Sequence, residues 1–463
     1  MNKIDVLLLN LPTGTWYKKK LAEGNSMPPL GIMYIGTYLK KNNYTVKIID
    51  LAVENLDENQ FFQAIEECNP SIIGMSTYNE AWNVQKILCR RIKQKYPNII
   101  IAAGGAFATF CYEQVLNESM TDFVLRGEGE YVFCQLCDCL LRGKLKKENI
   151  KGLCYKNKEG SVIANANVER IKNLDQLPFP DRSLIKKEKY VLPYTISTSR
   201  GCPGQCIFCS SKSFWGKSVI MRSAENVYKE VMDIYEKYGA NIFYITDDTF
   251  TASKKRCLEF CEMLRQSGIS FVWGCESRAD VINEEFIRIL YESGCHKIQF
   301  GMESADNEIL QRIKKHVTIE QIENAVMCAA KYNMHIQVSY IVGHAFDTEE
   351  TVKKTISFAK HLSDDYGARV VCSVNTPFPG TEQYEKRKEL GIEIKTERDQ
   401  NPESRARFFP TTGGILKTMS CDMPDYSYFA IDGVENCIAA LKDIERGGLH
   451  KCFIEMSAGY QVI

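Results

Sequence analysis

Twice along this chain a short apolar run is followed by an amphipathic helical stretch, over and over, and no other feature restricts the possible folds as much. In residues 1–144 the runs IDVLLLN, VKIID, SIIGMST, NIIIAAGG and DFVLRGEGE alternate with PPLGIMYIGTYLKK, ENQFFQAIEEC, AWNVQKILCRRIKQKY and YVFCQLCDCLL. Near-continuous apolar strands between helices predict a parallel sheet covered on both faces. This is a doubly wound α/β domain, in which ligands bind beyond the carboxyl ends of the strands.

The second alternation occupies residues 191–392, with strands predicted at YTIST, NIFYIT, SFVWGC, KIQFGM, IQVSYIVG and RVVCSVN. Gly239, Gly268 and Gly294, 29 and then 26 residues apart, each close a helix where a left-handed cap is needed before the next strand. Six such units do not by periodicity alone distinguish an open sheet from a partial (β/α)6 barrel. The barrel is the natural closed arrangement, and its active site would lie at the carboxyl ends of its strands. Between the two alternations, residues 145–190 turn polar, with a hairpin turn expected at Asn157 to Gly160 and a proline-rich LPFPDR, and read as a linker. Residues 393–463 lose the repeat and read as a C-terminal substrate-capping extension.

A balance of 58 basic and 58 acidic residues offers no net field for nucleic acid or an anionic membrane, so a small-molecule substrate is expected. No run approaches the roughly 20 apolar residues of a membrane span, and no secretory pattern opens the chain, which together predict a cytoplasmic protein. Nineteen cysteines in such a chain do not suggest a disulfide framework, since the number is odd and the compartment reducing. The six histidines all lie at His296 or beyond.

The stretch RGCPGQCIFCSS sets Cys202, Cys206 and Cys209 on a glycine- and proline-bent loop directly after the first strand of the second alternation. Closely spaced thiols on a loop suit soft-metal ligation, above all an iron-sulfur cluster, whereas the bland alternative is a set of small buried hydrophobes. Three ligands leave one iron of a four-iron cluster open, and an open coordination position is what a catalytic centre retains.

In these residues the chain resembles the radical S-adenosylmethionine (SAM) family over residues 194–375, with Cys202, Cys206, Phe208 and Cys209 matching its C-x3-C-x-Φ-C motif. The resemblance implies a [4Fe-4S] cluster whose open iron chelates the amino and carboxylate groups of SAM and cleaves it reductively to a 5'-deoxyadenosyl radical. It further implies an external electron donor of flavodoxin or ferredoxin type. Phe208 would pack by the adenine, and Asp247 and Asp248 in TDDTF would hold the methionine ammonium. Glu276 and Arg278 in ESRAD would serve the ribose hydroxyls and the methionyl carboxylate. Glu303 in GMES, with Ser339, Ile341 and Gly343 in SYIVG, would serve the ribose and adenine.

The first domain resembles the cobalamin-binding domain of the B12-dependent branch of that family, in the order of PPLGIMYIGTYLKK, GMSTYNE, GGAFAT and VLRGEGE. The resemblance implies a cobalamin contacted by Thr13, Ser76, Thr77, Gly104, Gly105, Phe107, Gly127 and Glu128. Where D-x-H-x-x-G domains carry a cobalt-ligating histidine this chain has NLPTGTW, and where many relatives have a histidine after the glycine pair it has Phe107. The rival reading is a vestigial sheet that only positions substrate. With cobalamin, the expected reaction is methylation of an unactivated sp3 carbon with two molecules of SAM. Oxidative cyclisation, ring rearrangement and a cobalamin-free radical SAM reaction are the alternatives.

Other residues carry weaker readings. Cys134, Cys137 and Cys139 lie in a helical pattern and read as core, and Cys421, Cys437 and Cys452 lack the short paired spacing of an auxiliary cluster. His316 and His344 each follow a barrel strand, where a proton-transfer group and a solvent-exposed loop histidine are both reasonable. TPFPGTE, from Thr376, is a candidate for substrate recognition.

Overall fold

The computed structural model describes residues 3–12, 27–54, 56–395 and 428–430. Thr13, Cys421, Cys437, Cys452 and nearly all of the expected C-terminal cap lie outside them. The chain divides into two compact units, the second taking over at Tyr194.

In the first unit, β1 (Val6–Asn10), β2 (Val46–Asp50), β3 (Ile72–Ser76), β4 (Ile100–Gly104) and β5 (Phe123–Leu125) run parallel in the order 2-1-3-4-5. The expected hairpin forms as β6 (Leu153–Lys156) and β7 (Val162–Ala164), which extend this sheet as an antiparallel edge beside β5. Period-two alternation explains why both faces are apolar. Leu7, Leu9, Ile73 and Met75 pack on one side with Phe61, Leu88 and Ile92, while Val6, Leu8 and Ile72 pack on the other with Met33, Phe133 and Leu136. Each such side chain, fully buried, contributes about 1.5–3 kcal/mol. The strand order reverses direction between β1 and β3, so the crevice of this sheet opens beyond Asn10 and Ser76.

In the second unit, β8 (Thr195–Ile196) leads to a two-stranded ribbon of β9 (Ser199–Arg200) and β10 (Ile220–Met221). Then come β11 (Ile242–Ile245), β12 (Val272–Ser277), β13 (Cys295–Glu303), β14 (His335–Val342) and β15 (Arg369–Val374). With β8 these form one six-stranded parallel sheet in chain order, the strand arrangement of a partial (β/α)6 barrel. Phe243, Trp273, Cys275, Ile298, Phe300 and Val338 bury the helix-facing side, where the Phe243 and Trp273 rings stack 6.1 Å apart. Alternate positions on the opposite side are polar, among them Glu276, Lys297, Gln299 and Gln337, and Gln337 Nε2 donates to Gln299 Oε1 at 2.9 Å. A sheet apolar on one face and polar on the other is the pattern of a barrel that holds a ligand.

The three spaced glycines do the work expected of them. All have positive φ, and at Gly294 (φ +97°) an added Cβ would lie 2.0 Å from the Phe271 carbonyl oxygen, a position no other residue fits. Helix starts are equally explicit: Ser223 caps Ala224–Tyr238 by accepting from the Asn226 N–H, and Thr318 with Gln321 forms a capping box on Ile319–Ala330.

Candidate active site

The cysteine loop leaves β9 at Gly201 (φ +99°) and is held by its own backbone as much as by the fold. The Gly204 N–H points at Cys202 Sγ (3.4 Å), the Ser211 N–H points at Cys209 Sγ (3.4 Å), and Thr249 Oγ1 lies 3.3 Å from Cys202 Sγ. Buried Ile207, between the second and third cysteines, is clamped from both sides. Its N–H donates to the Ile313 carbonyl at 3.0 Å, and its carbonyl accepts from the Gln383 N–H at 2.9 Å. The segment after β15 is thereby tied to the cysteine loop.

Gly204 marks the space among the thiols. A Cβ there would sit 3.4 Å from Cys202 Sγ, 3.7 Å from Cys206 Sγ and 3.3 Å from Arg278 Nη1. Among the described residues no three His, Cys, Asp or Glu side chains converge on a single ion. A four-iron cluster presents its irons at separate corners, so its thiols stand apart rather than meeting at one point. The glycine cradle and the N–H groups aimed at sulfur fit such a cluster.

The two aspartates expected at the methionine ammonium divide into different tasks. Asp247, buried at 1% exposure, accepts from the Thr198 N–H (2.6 Å), the Thr198 hydroxyl, the Ser199 N–H (3.0 Å) and the Ser199 hydroxyl (2.7 Å). Arg256 Nη2 lies 3.7 Å away. Its carboxylate is taken up in bracing the strand-to-loop turn. Asp248 takes one bond, from Ser211 Oγ at 2.5 Å, and burial holds its carboxyl above the usual range. Of the pair it is Asp248 that keeps acceptor capacity at the cysteine loop.

Arg278 is used on two sides. Its Nε and Nη2 bind Asp280 at 3.0 and 2.8 Å, and Nη2 also reaches the Lys315 carbonyl at 3.1 Å, which leaves Nη1 at the Gly204 cradle. Burial first, and then Asp248 and Asp247, push the Glu276 carboxyl up to about 7. Glu303 is buried in the left-handed region (φ +67°) and pairs with Lys315 Nζ at 2.9 Å. Ser339 Oγ lies 3.4 Å from the Phe300 carbonyl, and Ile341 and Gly343 follow on the same strand end. The Phe208 ring packs 5.6 Å from that of His344, which is 1% exposed and has, among the described residues, a hydrogen-bond partner on neither ring nitrogen. Of the two histidines singled out by position, His316 is exposed and His344 is enclosed.

Lys315 is the residue that sequence reasoning passes over, because RIKKHVT draws attention to its histidine. The only signal was two lysines abutting a predicted strand-end loop. Cys134 and Cys137 are buried, and burial pushes the Cys134 thiol up to about 11, as befits core thiols.

At the crevice of the first unit, Gly105 (φ +94°) is irreplaceable: an added Cβ would lie 2.9 Å from the Thr77 carbonyl oxygen and 3.2 Å from Ser76 Oγ. At Gly104 the nearest atom to such a Cβ is the Leu125 carbonyl oxygen at 3.6 Å. At this strand end Ser76, Gly104 and Gly105 place no large side chain. Gly127 (φ +78°) receives its place from Thr109, whose hydroxyl accepts its N–H at 3.0 Å. The other expected contacts are otherwise employed. Thr77 is fully buried and bonds Gln85 at 2.5 Å, Glu128 accepts from the Ile171 N–H at 2.7 Å, and Phe107 packs in the core 5.2 Å from the Trp82 ring.

Comparison with known proteins supports both halves. Residues 22–137 match the B12 binding domain and residues 196–359 the radical SAM superfamily. An uncharacterized methyltransferase of Pyrococcus horikoshii is 35% identical over 390 residues, covering 83% of each chain. The chain belongs to the cobalamin-dependent radical SAM enzymes. The cofactors of that family are a [4Fe-4S] cluster, SAM and cobalamin. The anaerobic magnesium-protoporphyrin IX monomethyl ester cyclase of Rubrivivax gelatinosus is 28% identical, over 80% of this chain and 67% of its own. In fold, the chain is similar to the cobalamin-dependent radical SAM enzyme OxsB solved with aqua-cobalamin and SAM bound. The TM-score is 0.73 at 19% identity, over 97% of this chain and 67% of that one. Among the described residues of this family member, no helix is long and apolar enough to cross a membrane.

Proposed function

We propose that the protein methylates an unactivated, sp3-type carbon of a small-molecule substrate, using two molecules of SAM and an external flavodoxin- or ferredoxin-type electron donor. When bound, the cluster with SAM supplies a carbon radical and cobalamin supplies a methyl group. The observation that carries this reading is the combination, in one family member with a 35% identical methyltransferase relative, of a strand-end turn that only glycine fits at Gly105 and a loop that carries Cys202, Cys206 and Cys209.

In this reading Cys202, Cys206 and Cys209 hold the cluster, and Arg278 Nη1 and Asp248 receive the carboxylate and ammonium of SAM. Glu276, Glu303 and Ser339 serve its ribose, and Phe208, Ile341 and Gly343 enclose its adenine. Asp247 acts through the loop it braces. Ser76, Gly104, Gly105 and Gly127 would line the cobalamin site, and this unit has no histidine to offer it, since the first histidine of the chain is His296. The protein's own contribution is placement and exclusion of water, without which a carbon radical would react with its nearest neighbour. The segment from Thr376, tied to the cysteine loop through Gln383, is suited to substrate recognition.

Oxidative cyclisation or ring rearrangement is the second reading, supported by the 28% identical cyclase. One assay ranks the two: the anaerobically reconstituted protein with cobalamin, SAM, reductant and candidate substrates, with S-adenosylhomocysteine and 5'-deoxyadenosine quantified. Equal substrate-dependent amounts support methylation, deoxyadenosine alone supports cyclisation, and neither product with any substrate class overturns both.

A further inference from the structure

The ion pair of Lys315 and Glu303 is built at evident cost, and the ribose role proposed for Glu303 does not require the lysine. Lys315 Nζ and Glu303 Oε1 are 2.9 Å apart, with side chains only 12% and 10% exposed. Taking two charges out of water is expensive, and a pair of this kind rarely stabilises a fold over apolar residues of similar size. The backbone is also distorted around it. Glu303 has φ +67°, the pairing of β13 with β14 slips between Gly301 and Glu303, and Lys314 and His316 on either side of the lysine have φ +58° and +51°. The pair fills the space over Gly301: a Cβ there would lie 2.3 Å from Glu303 Oε1 and 2.7 Å from Lys315 Nζ and would displace it. Strained non-glycine residues persist where the surroundings enforce them, and they gather at functional sites.

The segment that carries Lys315 is tied to the cysteine loop by one bond and bonded by Arg278, which lies beside that loop. Arg278 Nη2 donates to the Lys315 carbonyl at 3.1 Å while Nη1 of the same guanidinium lies at the Gly204 cradle, and two residues earlier the Ile313 carbonyl receives the Ile207 N–H. These contacts fix the backbone of Lys315 relative to the cysteine loop, and Glu303 holds its ammonium.

We infer that Lys315, with Glu303 as its counter-charge, is a positioning residue that sets the reduction potential of the cluster held by Cys202, Cys206 and Cys209. The inference rests on the reading that these cysteines hold a [4Fe-4S] cluster. Each thiolate brings a negative charge, and reduction adds one electron from the external donor to a centre already negative overall. A fixed ammonium favours that electron and a fixed carboxylate opposes it, nearby charge and solvent exposure being levers on such potentials. Glu303, 2.9 Å from the ammonium, opposes its effect.

The test is an anaerobic redox titration of the reconstituted full chain, without SAM, reduced by dithionite with mediators and followed by electron paramagnetic resonance. Iron and sulfide contents are measured for every variant. K315M should shift the reduced-to-oxidised ratio at a fixed potential about three- to tenfold towards oxidised. E303Q should shift it towards reduced, and K315R should stay near the wild type; tenfold corresponds to about 59 mV for one electron. Opposite signs for the two variants are what a merely structural pair would not produce. Equal midpoints for wild type, E303Q and K315R, or shifts of the same sign in K315M and E303Q, would overturn the inference. If K315M fails to load iron, E303Q and K315R decide it. A wild-type chain that takes up no cluster would instead remove the reading on which the inference stands.

Discussion

Asp247 and Thr198 are joined twice, the aspartate accepting both the backbone N–H and the side-chain hydroxyl of the threonine, so that the end of β11 grips the turn from which the cysteine loop departs. Asp247→Asn removes the charge and half of the acceptor capacity, and leaves Arg256, 3.7 Å away, less compensated. Breaking charge-assisted buried bonds of this kind costs about 2–4 kcal/mol. The variant should show a lower midpoint in urea and poor cluster loading even when folded, measured by iron content. A variant of unchanged stability and full iron content would show that the bracket is dispensable.

Gly105→Ala tests the crevice of the first unit separately. With φ at +94° and the Thr77 carbonyl 2.9 Å from the new methyl, the β3 and β4 ends must part. About 2–3 kcal/mol of strain is expected. Cobalamin binding, followed by its visible absorbance after gel filtration, should fall at least tenfold while iron content stays unchanged. Retention of wild-type affinity would remove this turn from the cobalamin site.

Glu276 predicts a pH dependence of stability. Its carboxyl is raised from 4.5 to about 7 by burial first and by Asp248 and Asp247 second. Between those values the folded chain holds a proton that the unfolded chain has released, so this contribution is fully present below about 4.5 and is lost as pH rises through about 7. Glu276→Gln, which carries no charge to desolvate, should exceed the wild type in stability by about 1–3 kcal/mol at pH 8 and by little at pH 5. Parallel stability-against-pH curves for the two proteins would contradict the assignment.

His344→Leu addresses an enclosed imidazole. Among the described residues neither ring nitrogen has a partner, the ring lies 5.6 Å from that of Phe208, and burial holds its pKa below the usual histidine value. An unsatisfied buried polar group costs about 1–3 kcal/mol. An apolar replacement of similar volume should therefore leave the ligand-free protein equally or more stable by thermal melt. A loss above 2 kcal/mol would mean the imidazole is bonded in the ligand-free state.

Much of this architecture was legible in the chain. Strand positions followed from apolar runs, helix ends from Gly239, Gly268 and Gly294, and the cysteine loop from spacing alone, because each depends on interactions within a few residues. The division of labour within neighbouring pairs was not legible. Asp247 and Asp248, or Ser76 and Thr77, are adjacent and chemically alike, and which one turns inward depends on strand register and on partners tens of residues away, such as Thr198 for Asp247 and Gln85 for Thr77.

By itself the sequence determined two α/β units, a three-thiol loop after the first strand of the second, and a first unit without histidine, since covalent order and local periodicity are properties of the chain. Only the tertiary structure decided that Gly204 opens a cradle beside Arg278, that Asp247 braces while Asp248 remains available, and that Lys315 meets Glu303 across a distorted strand pair. Those relationships join residues distant along the chain, and the energies that set them, burial of charge and closure of space around glycine, exist only once the strands have packed.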